Sequence, residues 1–188
     1  MIGIRVVADL REVEKYANDV RRNRVPRAAG AALQKTARSV TKTADQEIRQ
    51  RWALSSAVVK KALTTERYNN RLMVAVVATG SPIPLRDYQA RMTKMGATFR
   101  VVKAGGRKLY KRLGNAGFII DRFGGHVFVR IEPDPPGPRK GRIKTVYGPS
   151  ITHYFVSRFI RTRMDATANE TWPKRFAEEL NYQFNVRK

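Results

Sequence analysis

The sequence contains no cysteine, which removes disulfide scaffolds, thiol nucleophiles and every Cys-ligated zinc or iron–sulfur site. Histidine is nearly as scarce: His126 and His153 are the only two, and they leave little material for metal or acid–base chemistry. No run of 18 consecutive apolar residues occurs, so no membrane span is expected. The opening residues 1–9, MIGIRVVAD, lack the long apolar stretch of a secretory signal, and the expectation is a soluble protein made inside the cell. Acids are also in short supply. Against 38 Lys and Arg stand 15 Asp and Glu, a formal charge of +23 on 188 residues. Hydrophobic residues at 42% still suffice for a packed core, so the charge does not imply disorder. The length fits one compact domain with room for a helical arm.

The cations are unevenly placed. No acid occurs between Asp87 and Asp121, a stretch holding Arg91, Lys94, Arg100, Lys103, Arg107, Lys108, Lys111 and Arg112. A second acid-free stretch, between Asp134 and Asp165, holds Arg139, Lys140, Arg142, Lys144, Arg158, Arg161 and Arg163. Acids gather toward the ends, at Asp9, Glu12, Glu14 and Asp19 and at Glu170, Glu178 and Glu179. Such a surface suits DNA or RNA, an acidic protein neighbour, or simple solvation, and charge alone does not choose among them.

Periodicity predicts an α+β chain: N-terminal helices including one long helix, a central, mostly antiparallel β-meander, and C-terminal helices. Residues 1–188 are read as a single domain, with a helical part over 9–63, the meander over 71–132 and the last helices over 149–185. Residues 2–8 suit a short edge strand. Leu10, Val13, Ala17 and Val20 step helically behind Asp9 as N-cap, with Glu12 in capping-box position. Pro26 then reads as the start of a second helix whose apolar face runs through Leu33, Ala37, Val40, Ala44, Ile48 and Trp52. Its other face carries Lys35, Arg38, Lys42, Asp45, Arg49 and Gln50. The run Ala28, Ala29, Gly30, Ala31, Ala32 would admit another helix closely, and Ser55 or Ser56 caps a short helix through Leu63.

Beyond Asn69 and Asn70 the period becomes two. Residues 72–78 read as a strand buried on both faces, followed by an extended segment at Gly80–Leu85. Further strands are expected at 97–103, 116–121 and 126–132, with Gly105–Gly106 as a hairpin tip and Gly124–Gly125 as a turn. The proline-rich stretch 133–138 must be a loop. Ile151, Phe155 and Phe159 mark one helix, and a final helix is expected near Pro173, capped by Thr171 or Trp172, through Phe176, Leu180 and Phe184.

Catalytic signatures are missing: no P-loop, no dinucleotide-binding glycine motif and no nucleophile elbow. The two histidines have no ligand-spaced neighbours, so metal binding is not expected. Glu132 and Asp134 straddle Pro133, and a strand running into a loop explains them better than a carboxylate pair. Phe99, Tyr110, Phe118, Phe123 and Phe128 alternate with cations, yet aromatics on a small sheet more often build core than stack bases. The basic segment 103–112 is the better candidate for following a phosphate backbone without reading sequence. Contact with nucleic acid or an acidic partner is therefore expected at Lys103, Arg107, Lys108, Lys111, Arg112, Arg139, Lys140, Arg142 and Lys144. Subunit contact is expected at Ala29, Ala32, Leu33, Tyr147 and Pro149. No cofactor is anticipated.

Five ordered elements carry a resemblance. The segment from Arg27 to Leu63, the Ala78–Leu85 segment with its Ile-Pro-Leu turn, Gly117-Phe118-Ile119, Gly125–Arg130, and Ile143 with Tyr147-Gly148-Pro149-Ser150 follow one another with compatible spacing. Over roughly residues 24–160 this order resembles the prophage minor tail protein Z family. The resemblance implies a structural component of long-tailed, lambda-like, non-contractile phages, needed to complete the tail at its head-proximal end. It implies no active site, other tail or neck proteins as partners, a homo-oligomer such as a ring, and location in the virion tail after assembly in the host cytoplasm. A free-standing, sequence-blind nucleic-acid-binding module is the alternative that charge leaves open, and a nuclease or toxin lacks a catalytic constellation.

Overall fold

Helix α1, Val25–Arg51, is the spine of the molecule. Its 27 residues span about 40 Å at 1.5 Å per residue. Ala28, Ala32, Ala37, Val40, Ala44 and Ile48 form the buried stripe, and alanine at four of these six positions lets neighbouring elements approach closely. The computed structural model describes residues 18–68, 72–112, 114–131 and 142–185. The expected edge strand at 2–8, the Asp9 cap with Glu12, and the loop at 133–138 lie outside them.

Pro26 does not start α1. Residues 18–24 are already helical and close in a π-turn, Val20–Arg24, in which the Val25 N–H donates to the Val20 carbonyl. Proline lacks an N–H and crowds the carbonyl four residues back, and the wider π-turn absorbs that mismatch without a break. Asp45, expected on the polar face, is 4% exposed. Arg49 holds it with two bonds, Nε to Oδ1 at 3.0 Å and Nη2 to Oδ2 at 2.9 Å.

Helix α1 stops at Arg51 because the chain there pairs with residues 101–103. The Ala53 N–H donates to Val101 and the Lys103 N–H to Arg51, at 2.9 and 2.8 Å. Trp52 and Val102 form an antiparallel bridge between these bonds. The next helix, α2 (Ser56–Ala62), is capped by Ser55, whose Oγ accepts from the Val58 N–H. Leu63, expected within that helix, opens strand β1 (Leu63–Tyr68), antiparallel to β2 (Met73–Ala78). This ribbon has two edges, so Val74–Ala78 are half-buried rather than enclosed on both faces as expected.

The remaining strands are short and all antiparallel. β3 (Arg91–Thr93), β4 (Gly96–Phe99) and β5 (Lys108–Leu109) form one sheet. β6 (Lys111–Arg112) and β7 (Asn115–Ala116) form a second. In the third, β9 (His126–Arg130) lies between β8 (Phe118–Ile120) and β10 (Ile143–Thr145). The strand expected through Lys103 ends at Phe99, since 101–103 bond to the end of α1 instead. Gly105 and Gly106 therefore sit in a longer connection between β4 and β5. The helical–sheet–helical order is that of an α+β fold.

Helix α3 (Ile151–Phe155) is capped by Ser150, whose Oγ accepts from the His153 N–H. A turn at Val156–Ser157 separates it from α4 (Arg158–Asn185), so Ile151, Phe155 and Phe159 do not share one helix. Pro173 lies inside α4 instead of beginning a new helix. Both Pro173 and Asn169, whose carbonyl loses its donor, are exposed, and solvent can take the missing donor's place. α4 runs antiparallel to α1. Arg163 meets Glu47, Thr167 meets Thr43, and Lys35 pairs with the buried Glu179. The core behind these helices gathers Ile48, Val59, Leu85, Val127, Ile151 and Ile160.

Candidate functional site

Two motifs far apart in sequence meet at the centre of the fold. The Leu85 N–H donates to the Val146 carbonyl at 3.0 Å, and the Gly148 N–H donates to Ile83 at 2.7 Å. Pro84 and Tyr147 bridge between them. The Ile-Pro-Leu turn and the Tyr-Gly-Pro-Ser segment are thus two sides of one junction. Tyr88, on the 3-10 turn Leu85–Tyr88, is fully buried against it. Its hydroxyl donates to the Pro149 carbonyl at 2.7 Å and lies 2.8 Å from the Tyr154 hydroxyl. A carbonyl cannot donate, so the Tyr88 proton goes to Pro149 and Tyr154 donates to Tyr88. Burial, then the hydrogen bond with Tyr154, pushes the Tyr88 phenol well above its ordinary pKa, and burial raises that of Tyr154 too. Trp52 stacks on Tyr154 with ring centroids 4.3 Å apart. Gly148 is required here, because a Cβ would stand 2.6 Å from the Tyr88 ring. This neutral, internally satisfied cluster is suited to holding structure; it offers no nucleophile beside a base.

The cations lie outside that junction. Lys108 faces Phe99 across β4–β5, while Lys111 and Arg112 pair with Ala116 and Asn115 across β6–β7. Lys103, Lys108, Lys111 and Arg112 are exposed. Arg107 behaves differently. Its Nε donates to Thr98 Oγ1 at 3.2 Å, and its Nη2 donates to the carbonyls of Thr98 and Gln89. Partial burial, then the charges of Arg91 and Arg100, hold its pKa below the usual guanidinium value. Arg142 and Lys144 are exposed at β10, the edge of its sheet away from β8, whereas β8 abuts β3 and β4. The two basic groups are therefore not brought together on one sheet. Arg139 and Lys140 lie outside the described residues.

Arg91 and Arg100 are cations that residue-by-residue reading did not assign to a site. Arg91 is the cross-strand partner of Thr98, and Thr98 and Arg100 follow strand alternation, so Arg91, Thr98 and Arg100 share one side of the sheet. Ala97 and Phe99 point the other way, into the core. The Arg-Met-Thr alternation at 91–93 was the available signal. Phe99 and Tyr110 also pack inward, and Phe118 and Phe123 cluster with the buried Phe128.

The residues considered for subunit contact divide. Ala29 and Ala32 are buried within the chain, because the small-residue face of α1 already packs against the chain's own elements. Tyr147 is 53% exposed and Pro149 is also exposed. Leu33 lines an apolar groove of about 620 Å³ between α1, β2 and α4, with Val40, Val74, Val76, Met164 and Trp172. Among the described residues no group of three His, Asp or Glu is placed to hold a metal, and no helix is long and apolar enough to cross a membrane.

No curated protein and no solved structure matches the chain. A family model does, and it matches residues 10–188: prophage minor tail protein Z. The match covers all five ordered elements, including the turn and the Gly-Pro segment that the fold joins at Tyr88, and on that evidence the chain belongs to the prophage minor tail protein Z family.

Proposed function

We propose that this minor tail protein is a non-enzymatic assembly subunit that completes the tail at its head-proximal end, with a basic surface turned to DNA or to an acidic neighbour. The observation that carries the reading is the match to a minor tail family over residues 10–188. The charge of +23 and the exposed side chains of Lys103, Lys108, Lys111, Arg112 and Lys144 support an electrostatic contact. Arg107, bonded to Thr98 and Gln89, shapes that surface more than it reaches outward. Subunit contacts in a homo-oligomer, of which a ring is the simplest closed form, draw on Leu33, Tyr147 and Pro149. The protein then resides in the virion tail, having assembled in the host cytoplasm. Size-exclusion chromatography with light scattering, alone and with tail-tube protein, tests this. An oligomer that enters tails is the expected outcome, and a strict monomer that never enters them contradicts it.

The alternative, a free-standing sequence-blind nucleic-acid-binding protein, is favoured by one observation: the acid-free stretch from 88 to 120. It predicts binding to nucleic acid without any incorporation into particles.

A further inference from the structure

We propose that the outer face of the β3–β4–β5 sheet is a phosphate-binding site for duplex DNA, with Arg91 and Arg100 as its reaching groups and Arg107 as its fixed one. The inference rests on the assembly role proposed above and sharpens it by choosing DNA over an acidic protein.

The arrangement begins with Thr98. Arg91 lies opposite it in the β3–β4 register, and the Thr98 hydroxyl donates to the Arg91 carbonyl at 3.2 Å. Arg107 reaches across from the approach to β5 and donates to both the hydroxyl and the carbonyl of Thr98. Arg100 follows Thr98 on the same side, and its backbone N–H is fixed on the Tyr88 carbonyl at 2.9 Å. Three arginines therefore flank one threonine, Arg107 through its guanidinium and Arg91 and Arg100 through their places on the strands.

Nothing among the described residues neutralises them. Neither Arg91 nor Arg100 makes a side-chain hydrogen bond or ion pair there, and the buried Nε of Arg100 has no acceptor. A buried donor without a partner costs about 1–3 kcal/mol. Like charges gathered without a carboxylate add to that cost, and the pKa of Arg107 is lowered by burial first and then by the charges of Arg91 and Arg100. An incoming anion relieves the second of these. A guanidinium's planar fork matches phosphate oxygens, and duplex DNA presents such charges in a continuous row. The chain supplies eight cations and no acid between Asp87 and Asp121, of which Arg91, Arg100 and Arg107 lie about Thr98. A single acidic side chain of a protein neighbour would leave two of those three arginines unmatched.

The full-length protein is titrated onto short duplexes of two unrelated sequences, from about 50 to 200 mM salt. Arg91→Gln/Arg100→Gln is expected to bind both duplexes more weakly and to flatten the log–log salt slope by about 1.8, two phosphates at about 0.9 each. Arg91→Gln alone, at an exposed position that cannot upset the core, is expected to flatten it by about 0.9. Arg38→Gln/Lys42→Gln on the exposed face of α1 removes the same charge elsewhere and is expected to change the slope far less. The site is overturned if the wild-type protein does not bind duplex at the lowest salt. It is also overturned if the sheet variants keep the wild-type slope, if the α1 control loses as much, or if polyglutamate outcompetes DNA. Incorporation into tails is scored separately: a protein that enters tails without binding DNA loses this site but keeps its assembly role.

Discussion

The junction around Tyr88 and the sheet around Thr98 are neighbours in the chain, and a single bond from the Arg100 N–H to the Tyr88 carbonyl ties them together. Their chemistry is opposite. At the junction the polar groups pair with neutral partners: Tyr88 with Pro149 and Tyr154, Leu85 with Val146, Gly148 with Ile83. On the sheet, Arg91 and Arg100 lie close enough to Arg107 to act on its charge, and Arg100 keeps a donor without an acceptor. Buried polar groups that are satisfied internally stabilise a unique structure, whereas unsatisfied charge on a rigid strand is left for something outside the chain. The residues that carry family likeness belong mostly to the first kind, and the residues proposed to make contact belong to the second.

That division can be broken at several depths. The largest effect is expected from Gly148→Ala and Gly96→Ala. The first places a Cβ 2.6 Å from the Tyr88 ring; the second places one 2.7 Å from the Ala116 Cβ at a backbone φ of +124°. Each should cost about 3 kcal/mol, from overpacking at Gly148 and from overpacking with strain at Gly96, read as a lower denaturation midpoint. Tyr88→Phe comes next, since it leaves the Pro149 carbonyl and the Tyr154 hydroxyl without their partner, at a cost of about 1–3 kcal/mol.

A titration gives a smaller, graded signal. The folded-state pKa values of Tyr88 and Tyr154 lie above the unfolded value of 10.0, so the folded state holds their protons more tightly. Their contribution is complete below about pH 10 and declines as pH rises beyond it. Thermal melts from neutral to alkaline pH should show that decline, and Tyr88→Phe should lessen it. The smallest effect on stability belongs to the outer cations. Lys111→Gln and Arg112→Gln should shift unfolding by no more than about 0.5 kcal/mol each, because both side chains are exposed on β6.

Much of this fold is written plainly in the sequence. The long α1 stripe, the Ser55 cap and the glycine turn before His126 follow from periodicity and local chemistry. Prolines mislead most. Pro26 and Pro173 look like punctuation, yet a π-turn before one and exposure of the other let the helix continue. Short or exposed strands mislead next. β3 and β10 are too brief, and β1 beyond Leu63 too exposed, for alternation to stand out, and only their partners give them away. The same holds for the candidate contact surface: without β3, nothing in the order of residues places Arg91 beside Arg107. Local pattern also gave no hint that Arg107 would turn inward to Thr98 and Gln89, since that depends on two strands meeting.

The most direct test separates the two regions in one variant. Lys108→Glu/Lys111→Glu/Arg112→Glu reverses exposed charges and leaves the Tyr88 junction untouched. Its melting temperature should stay within about 5 °C of wild type, as three surface changes of up to about 0.5 kcal/mol require in a chain of this size. Its ability to restore infectious particles to a phage lacking the protein should be lost. Fully infectious particles assembled with this variant, or a chain that no longer folds, would contradict the separation of scaffold from contact surface.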